Sequence, residues 1–159
     1  MKHIDIAITQ IGVEEVPRGS NWGDDIKKYL HSVGIDFPAS WCMAFVYWCV
    51  EQAGIRIPDG IGGLRNPLIK TGGVMRQWNQ IETHQMFQPK CKFNSPIAGD
   101  IFIMDFGKGL GHTGFVGFVE GDFIHTIEGN TNDEGVREGF EVCRRVRKIS
   151  SCIGFIRLP

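Results

Sequence analysis

The sequence has no excess of charge of either sign: Lys and Arg total 17 against 18 Asp and Glu. That balance excludes a global pull toward nucleic acid or anionic membrane, so any partner must be recognised by local chemistry. Long apolar runs are also missing. The longest, Trp41 to Val50, covers ten residues, about half of the roughly 20 that a membrane-spanning helix needs. It reads as a buried segment, and no membrane insertion is expected. The first residues mix Lys2, Asp5, Thr9, Gln10, Glu14 and Glu15 with apolar ones and lack the unbroken apolar core of a secretion signal. Synthesis in the cytoplasm, with export by another agency, is the expectation. No Cys-x-x-Cys pair occurs among Cys42, Cys49, Cys91, Cys143 and Cys152, which argues against a zinc ribbon and a closed disulfide framework. Cys91 with His84 is the one metal alternative. Thiols in a reducing compartment are the plainer reading, and no metal or cofactor is expected.

What is present supports one core. A chain of 159 residues, 42% of them hydrophobic, suffices for a single domain spanning 1–159. No repeat or low-complexity linker divides it. Ile4, Ala7, Ile8 and Ile11 recur at helical spacing, as do Ile26, Tyr29, Leu30 and Val33 between Asp24 and Val33. Between these helices Ser20 or Asn21 could approach a functional site or cap the second helix, and capping is preferred. A third helix is predicted from Cys42 to Ala53, apolar all round and closed by Gly54, so it should be packed on most sides. Strand-like alternation follows at Asp100 to Phe106, His112 to Val119, Phe123 to Glu128, Val136 to Arg147 and Cys152 to Leu158. The predicted class is α+β, with an antiparallel sheet against the buried helix. The glycines at 107, 109 and 111 link two strands and lack a Gly-Lys-Ser/Thr ending, which argues against a phosphate loop.

Chemistry concentrates on two residues. A thiol attacks as thiolate, which a helix N-terminus and a neighbouring imidazolium both favour. Cys42 alone among the cysteines starts a predicted helix, whereas Cys49 lies mid-helix in the apolar run. His112 opens a strand after a glycine loop that leaves room for substrate. His3 and His31 are expected on exposed helical positions, His84 in a polar connection, and His125 on the strand face opposite Glu128. Glu128 and Asn130, two apart on one face, are the candidates for orienting the imidazole.

Ser40-Trp41-Cys42-Met43-Ala44-Phe45-Val46, Gly111-His112-Thr113-Gly114 and Ile127-Glu128-Gly129-Asn130-Thr131-Asn132 together resemble the cysteine- and histidine-dependent amidohydrolase/peptidase (CHAP) family. The resemblance implies a papain-like architecture, related to NlpC-type cell-wall peptidases. It implies a cysteine amidohydrolase or peptidase that cuts an amide of peptidoglycan, at the muramic acid to L-alanine bond or within the stem peptide or cross-bridge. Cys42 would form the acyl-enzyme, His112 would act as base and then acid, Glu128 and Asn130 would orient it, and the Cys42 amide would help hold the oxyanion. No Asp-x-Asp cluster precedes Cys42, so the calcium site of some phage enzymes in that family is not expected. A phage endolysin, or an injected effector with an immunity protein as partner, is the expected role. A papain-like acyltransferase and a non-catalytic wall-binding module are the alternatives.

Such a triad constrains the hairpin between the second and third strands. A two-residue loop at Gly121-Asp122 with regular pairing would put Glu128 and His112 on opposite faces. A three-residue loop, Glu120-Gly121-Asp122, or an equivalent bulge, sets Glu128 opposite Gly114 and Asn130 opposite His112. An odd loop or a bulge is therefore predicted.

Overall fold

In the computed structural model, which describes residues 1–84, 90–131 and 139–159, the helices come first and the sheet follows. Helix α1 (Lys2–Thr9) and helix α2 (Asp24–Ser32) precede helix α3 (Cys42–Gln52). A short hairpin, β1 (Ile57–Pro58) with β2 (Leu64–Arg65), leads to helix α4 (Val74–His84). Strands β3 (Lys92–Phe93), β4 (Ile101–Gly107), β5 (Leu110–Glu120), β6 (Phe123–Thr131), β7 (Glu141–Lys148) and β8 (Gly154–Ile156) form an antiparallel sheet. Its order is β3-β8-β4-β5-β6-β7. The class is α+β, with the helix of Cys42 laid on an antiparallel sheet.

The all-apolar character of α3 has the predicted consequence: Cys42 through Tyr47, with Cys49 and Val50, are buried. Ile26, Tyr29 and Leu30 of α2 pack with it, as do Ile101, Ile103, Phe115, Ile127, Val142 and Ile156 from one face of the sheet. Phe45 is fully buried, edge-on to Tyr29 at 5.3 Å and to Phe115 at 6.3 Å. Cutting it to alanine would cost about 3–5 kcal/mol. Alternation sends Phe102, Met104, Val116, Ile124 and Phe155 to the other face, where they make a second, smaller cluster. His112, opposite Met104, and Gly114, opposite Phe102, belong to that second face.

Several expectations are corrected. Helix α1 starts and ends earlier than predicted, and Ile8 and Ile11 are exposed. His3, expected at the surface, is buried: Nε2 meets the Gly99 carbonyl at 2.9 Å and the ring packs on Phe115. Neither Ser20 nor Asn21 caps α2, whose N-cap is Gly23 without a side-chain hydrogen bond. Helix α4, where His84 is the last residue, was not predicted at all. Strand β7 starts at Glu141, and residues 136–138 of the predicted strand lie outside the described residues, as does Asn132.

Candidate active site

Cys42 is the first residue of α3 and is almost fully buried. The first hydrogen bond of the helix runs from the Phe45 N–H to the Trp41 carbonyl at 2.9 Å. The N–H groups of Cys42, Met43 and Ala44 precede it, and the N-cap residue Trp41 sends no side-chain bond to them. These amides form the positive end of the helix dipole around the thiol. Trp41 itself is fully buried, stacked on Tyr29 at 5.6 Å. Its indole N–H donates to Glu15 Oε1 at 2.9 Å.

His112 is buried on β5, and its Nε2 lies 2.7 Å from Glu128 Oε1 on β6. Glu128 is also fully buried and accepts from three further donors. Arg147 Nε reaches Oε2 at 2.7 Å and Arg147 Nη2 reaches Oε1 at 2.6 Å, while the Thr126 hydroxyl donates to Oε2 at 2.5 Å. Burial alone would push this carboxyl up, but the Arg147 and His112 bonds outweigh it and hold it down at about 2. Burial would likewise push His112 down. Cys42 and Glu128 together overcome that and raise the imidazole to about 9. Nδ1 is buried with no closed hydrogen bond. It is the nitrogen left to face Cys42, since Nε2 is committed to Glu128. Cys42, His112 and Glu128 thus form a chain of thiol, imidazole and carboxylate, with Arg147 fixing the carboxylate from behind.

The CHAP domain family model matches residues 34–130, which run from before Cys42 through Asn130. The chain belongs to the CHAP domain family. Among curated proteins none matches it. The crystal structure of Ly7917 superposes with a TM-score of 0.54 at 17% identity, covering 99% of this chain and 61% of that one. The crystal structure of Ly7917 with the hydrolyzing product of MDP gives 0.52 at 17% identity, covering 99% and 62%. This CHAP chain therefore spans less than two thirds of the length of those neighbours, and the likeness is one of fold.

The hairpin of this CHAP chain brings the triad together through the predicted bulge rather than an odd loop. Glu120 pairs with Phe123, so the loop is the two-residue Gly121-Asp122, with Gly121 at φ +57 as the first position of such a turn requires. The pairing then shifts between Val116 and Phe118, leaving Gly117 unpaired, and Phe115 faces Ile127. One residue further, Glu128 comes opposite Gly114. A Cβ on Gly114 would lie 2.8 Å from the Ile127 carbonyl and 2.9 Å from Glu128 Cγ and Phe102 Cε1, so the position must be bare.

Asn130 departs from expectation. It is fully buried, but its φ is +56 and the β6–β7 pairing is irregular between Glu128 and Thr131. Among the described residues neither of its side-chain polar atoms has a hydrogen-bond partner. Among the described residues Glu128 is thus the acceptor on the imidazole Nε2, and the positive φ at Asn130 breaks the regular strand geometry that the expectation assumed. His125 lies apart, stacked on Phe118 at 4.0 Å. Cys91 is buried and His84 Nε2 meets the Asn66 carbonyl at 3.1 Å; among the described residues no three His, Cys, Asp or Glu side chains converge as metal ligands. Arg147 and Thr126 were missed by sequence reasoning. The available signal was chemical: a carboxylate on a buried strand face needs a cation, and Arg145 and Arg147 alternate on the next strand.

Proposed function

We propose that this chain is a peptidoglycan hydrolase, an N-acetylmuramoyl-L-alanine amidase or an endopeptidase, working through a Cys42 acyl-enzyme. The observation that carries the proposal is the buried Cys42–His112–Glu128 chain at the N-terminus of α3. Family membership and the fold shared with Ly7917, one of whose structures holds the hydrolyzing product of MDP, support the choice of wall substrate.

In this mechanism His112 holds the Cys42 proton as an imidazolium and the thiolate adds to the amide carbonyl carbon. The oxyanion is met by the Cys42 N–H at the positive end of the helix. His112 then returns the proton to the departing amine as the C–N bond breaks, leaving a thioester. Water, deprotonated by His112, cleaves the thioester to a carboxylic acid and restores the thiol. Glu128 keeps the ring oriented and its charged form favoured. Asn130, with its polar atoms unspent, would serve the substrate rather than the imidazole.

Digestion of purified walls, with mass spectrometry of the released fragments, tests the proposal. Glycan strands freed of their stem peptides identify an amidase, and cut stems or cross-bridges an endopeptidase. Product that forms only after an amine acceptor is added would contradict hydrolysis. The wall would be reached by phage-directed release or by injection into a competitor; co-purification of an immunity protein with the tagged chain would mark the second route.

A further inference from the structure

Among the described residues the mechanism leaves two buried carboxylates unused: Asp100, which is paired with Arg157, and Glu15. Glu15 is nearly inaccessible, in the loop between α1 and α2, with Oε1 accepting the Trp41 indole N–H at 2.9 Å and Oε2 accepting the Gly19 N–H at 2.8 Å. Its own backbone is tied elsewhere: the Glu15 N–H donates to the Phe140 carbonyl at 2.8 Å, at the entry to β7. The same stretch is bonded to the sheet at two neighbouring points, Gly12 N–H to the Val142 carbonyl and Val142 N–H to the Val13 carbonyl, both at 2.9 Å. One residue is thus fixed to the sheet by its main chain and to the residue before Cys42 by its side chain.

Trp41 makes a second connection across the same gap. A Cβ on Gly129 would come within 2.7 Å of Trp41 Cζ3, so the indole lies directly on β6, between the positions of Glu128 and Asn130. The nucleophile belongs to a helix and its base to a sheet, and their separation depends on how the start of α3 is seated. Dispersion against Gly129 fixes how close the indole comes but leaves it free to slide. The Glu15 bond removes that freedom, since a hydrogen bond to a charged acceptor is both strong and directional.

We propose that Glu15 is a positioning residue for catalysis, acting through Trp41 to hold Cys42 at working distance from His112. This rests on the assignment of Cys42 and His112 made above. Reactions of this kind lose about a hundredfold for a displacement of roughly 1 Å, so the link is expected to appear in turnover.

The test compares Glu15→Ala, Glu15→Gln, Trp41→Phe and Glu15→Ala/Trp41→Phe in the full chain, using a defined peptidoglycan fragment and iodoacetamide. Glu15→Ala and Trp41→Phe should each lower kcat by about ten- to a hundredfold with KM within about twofold. The double variant should be no worse than the poorer single, because both break one link. Glu15→Gln keeps an oxygen for the indole and should recover most of the activity. Alkylation of Cys42 should slow in the same order, with a changed pH profile, at temperatures well below unfolding. Wild-type kcat in Glu15→Ala, multiplicative losses in the double variant, or an unchanged alkylation profile would overturn the proposal. If Glu15→Ala does not fold, Trp41→Phe against Glu15→Gln decides alone. A wild type that leaves peptidoglycan intact would overturn the assigned function as well, whereas an active wild type beside an equally fast Trp41→Phe overturns only the role of Glu15.

Discussion

Two opposite pKa shifts at adjoining residues define the pH range of the site. His112 is held up to about 9 against its desolvation by Cys42 and Glu128. Its contribution to stability is complete below its ordinary value near 6.5 and is lost as pH rises through about 9. Glu128 is held down at about 2 against its desolvation by Arg147 and His112. Its contribution is complete above its ordinary value near 4.5 and is lost as pH falls through about 2. Both contributions are full only between about 4.5 and 6.5. Wall hydrolysis should therefore decline on its alkaline side near pH 9, with the loss of the imidazolium. Glu128→Gln leaves Cys42 in place but removes the second of the two groups that raise the ring, so its alkaline decline should move to lower pH. It also leaves Arg147 without its carboxylate, a loss of about 3–5 kcal/mol for one partner of a buried pair. A pH–rate profile of Glu128→Gln identical to that of the wild type would remove Glu128 from its orienting role.

At the scale of elements, the β5–β6 hairpin decides whether the triad exists. Gly114→Ala would thrust a methyl group against the Ile127 carbonyl and Glu128 Cγ at under 3 Å. We expect it to cost about 1–3 kcal/mol as overpacking and to lower turnover more than its stability loss explains, because the displaced atom belongs to the carboxylate. Urea unfolding alongside kinetics checks both, and unchanged turnover would mean the carboxylate can shift freely. Cys49→Ala, mid-helix in α3 with its thiol pushed well up by burial, should lose about 1–2 kcal/mol and keep its activity. The hairpin also shows how sequence can carry geometry. The need to place Glu128 beside His112 demanded one extra residue, but the sequence did not say whether the loop or the strand would supply it. Gly121-Asp122 took the tight turn, and Gly117 became the bulge. Helix α4 escaped for a different reason. Between Val74 and Ile81 its buried position is filled by Gln77, whose amide exchanges 2.8 and 2.9 Å bonds with the backbone of Ile69. Around this polar residue Val74, Trp78 and Ile81 still recur at helical spacing, so the signal was present in a short, mostly polar segment and was passed over.

Over the whole molecule, the order of helices before an antiparallel sheet, the burial of α3 and the meeting of Cys42, His112 and Glu128 were legible. Each depends on local pattern or on a face rule that holds along one strand. Arg147, Glu15 and the burial of His3 were not legible, because each needs the alignment of segments far apart in the chain. His3 meets Gly99, and Glu15 meets Trp41 and Phe140, through contacts that no periodicity encodes. None of the five cysteines is joined in a disulfide, so thiol titration of the denatured, unreduced protein should count five; a count of one would show that Cys49, Cys91, Cys143 and Cys152 had paired. The central claim, amide hydrolysis by Cys42, meets its most direct test in new end groups. Purified peptidoglycan is treated with wild type and with Cys42→Ala, and free amino groups and reducing sugar ends are counted in parallel. The wild type should release amino groups without reducing ends, and a folded Cys42→Ala should release neither. Reducing ends from the wild type, or amino groups from Cys42→Ala at a comparable rate, would contradict it.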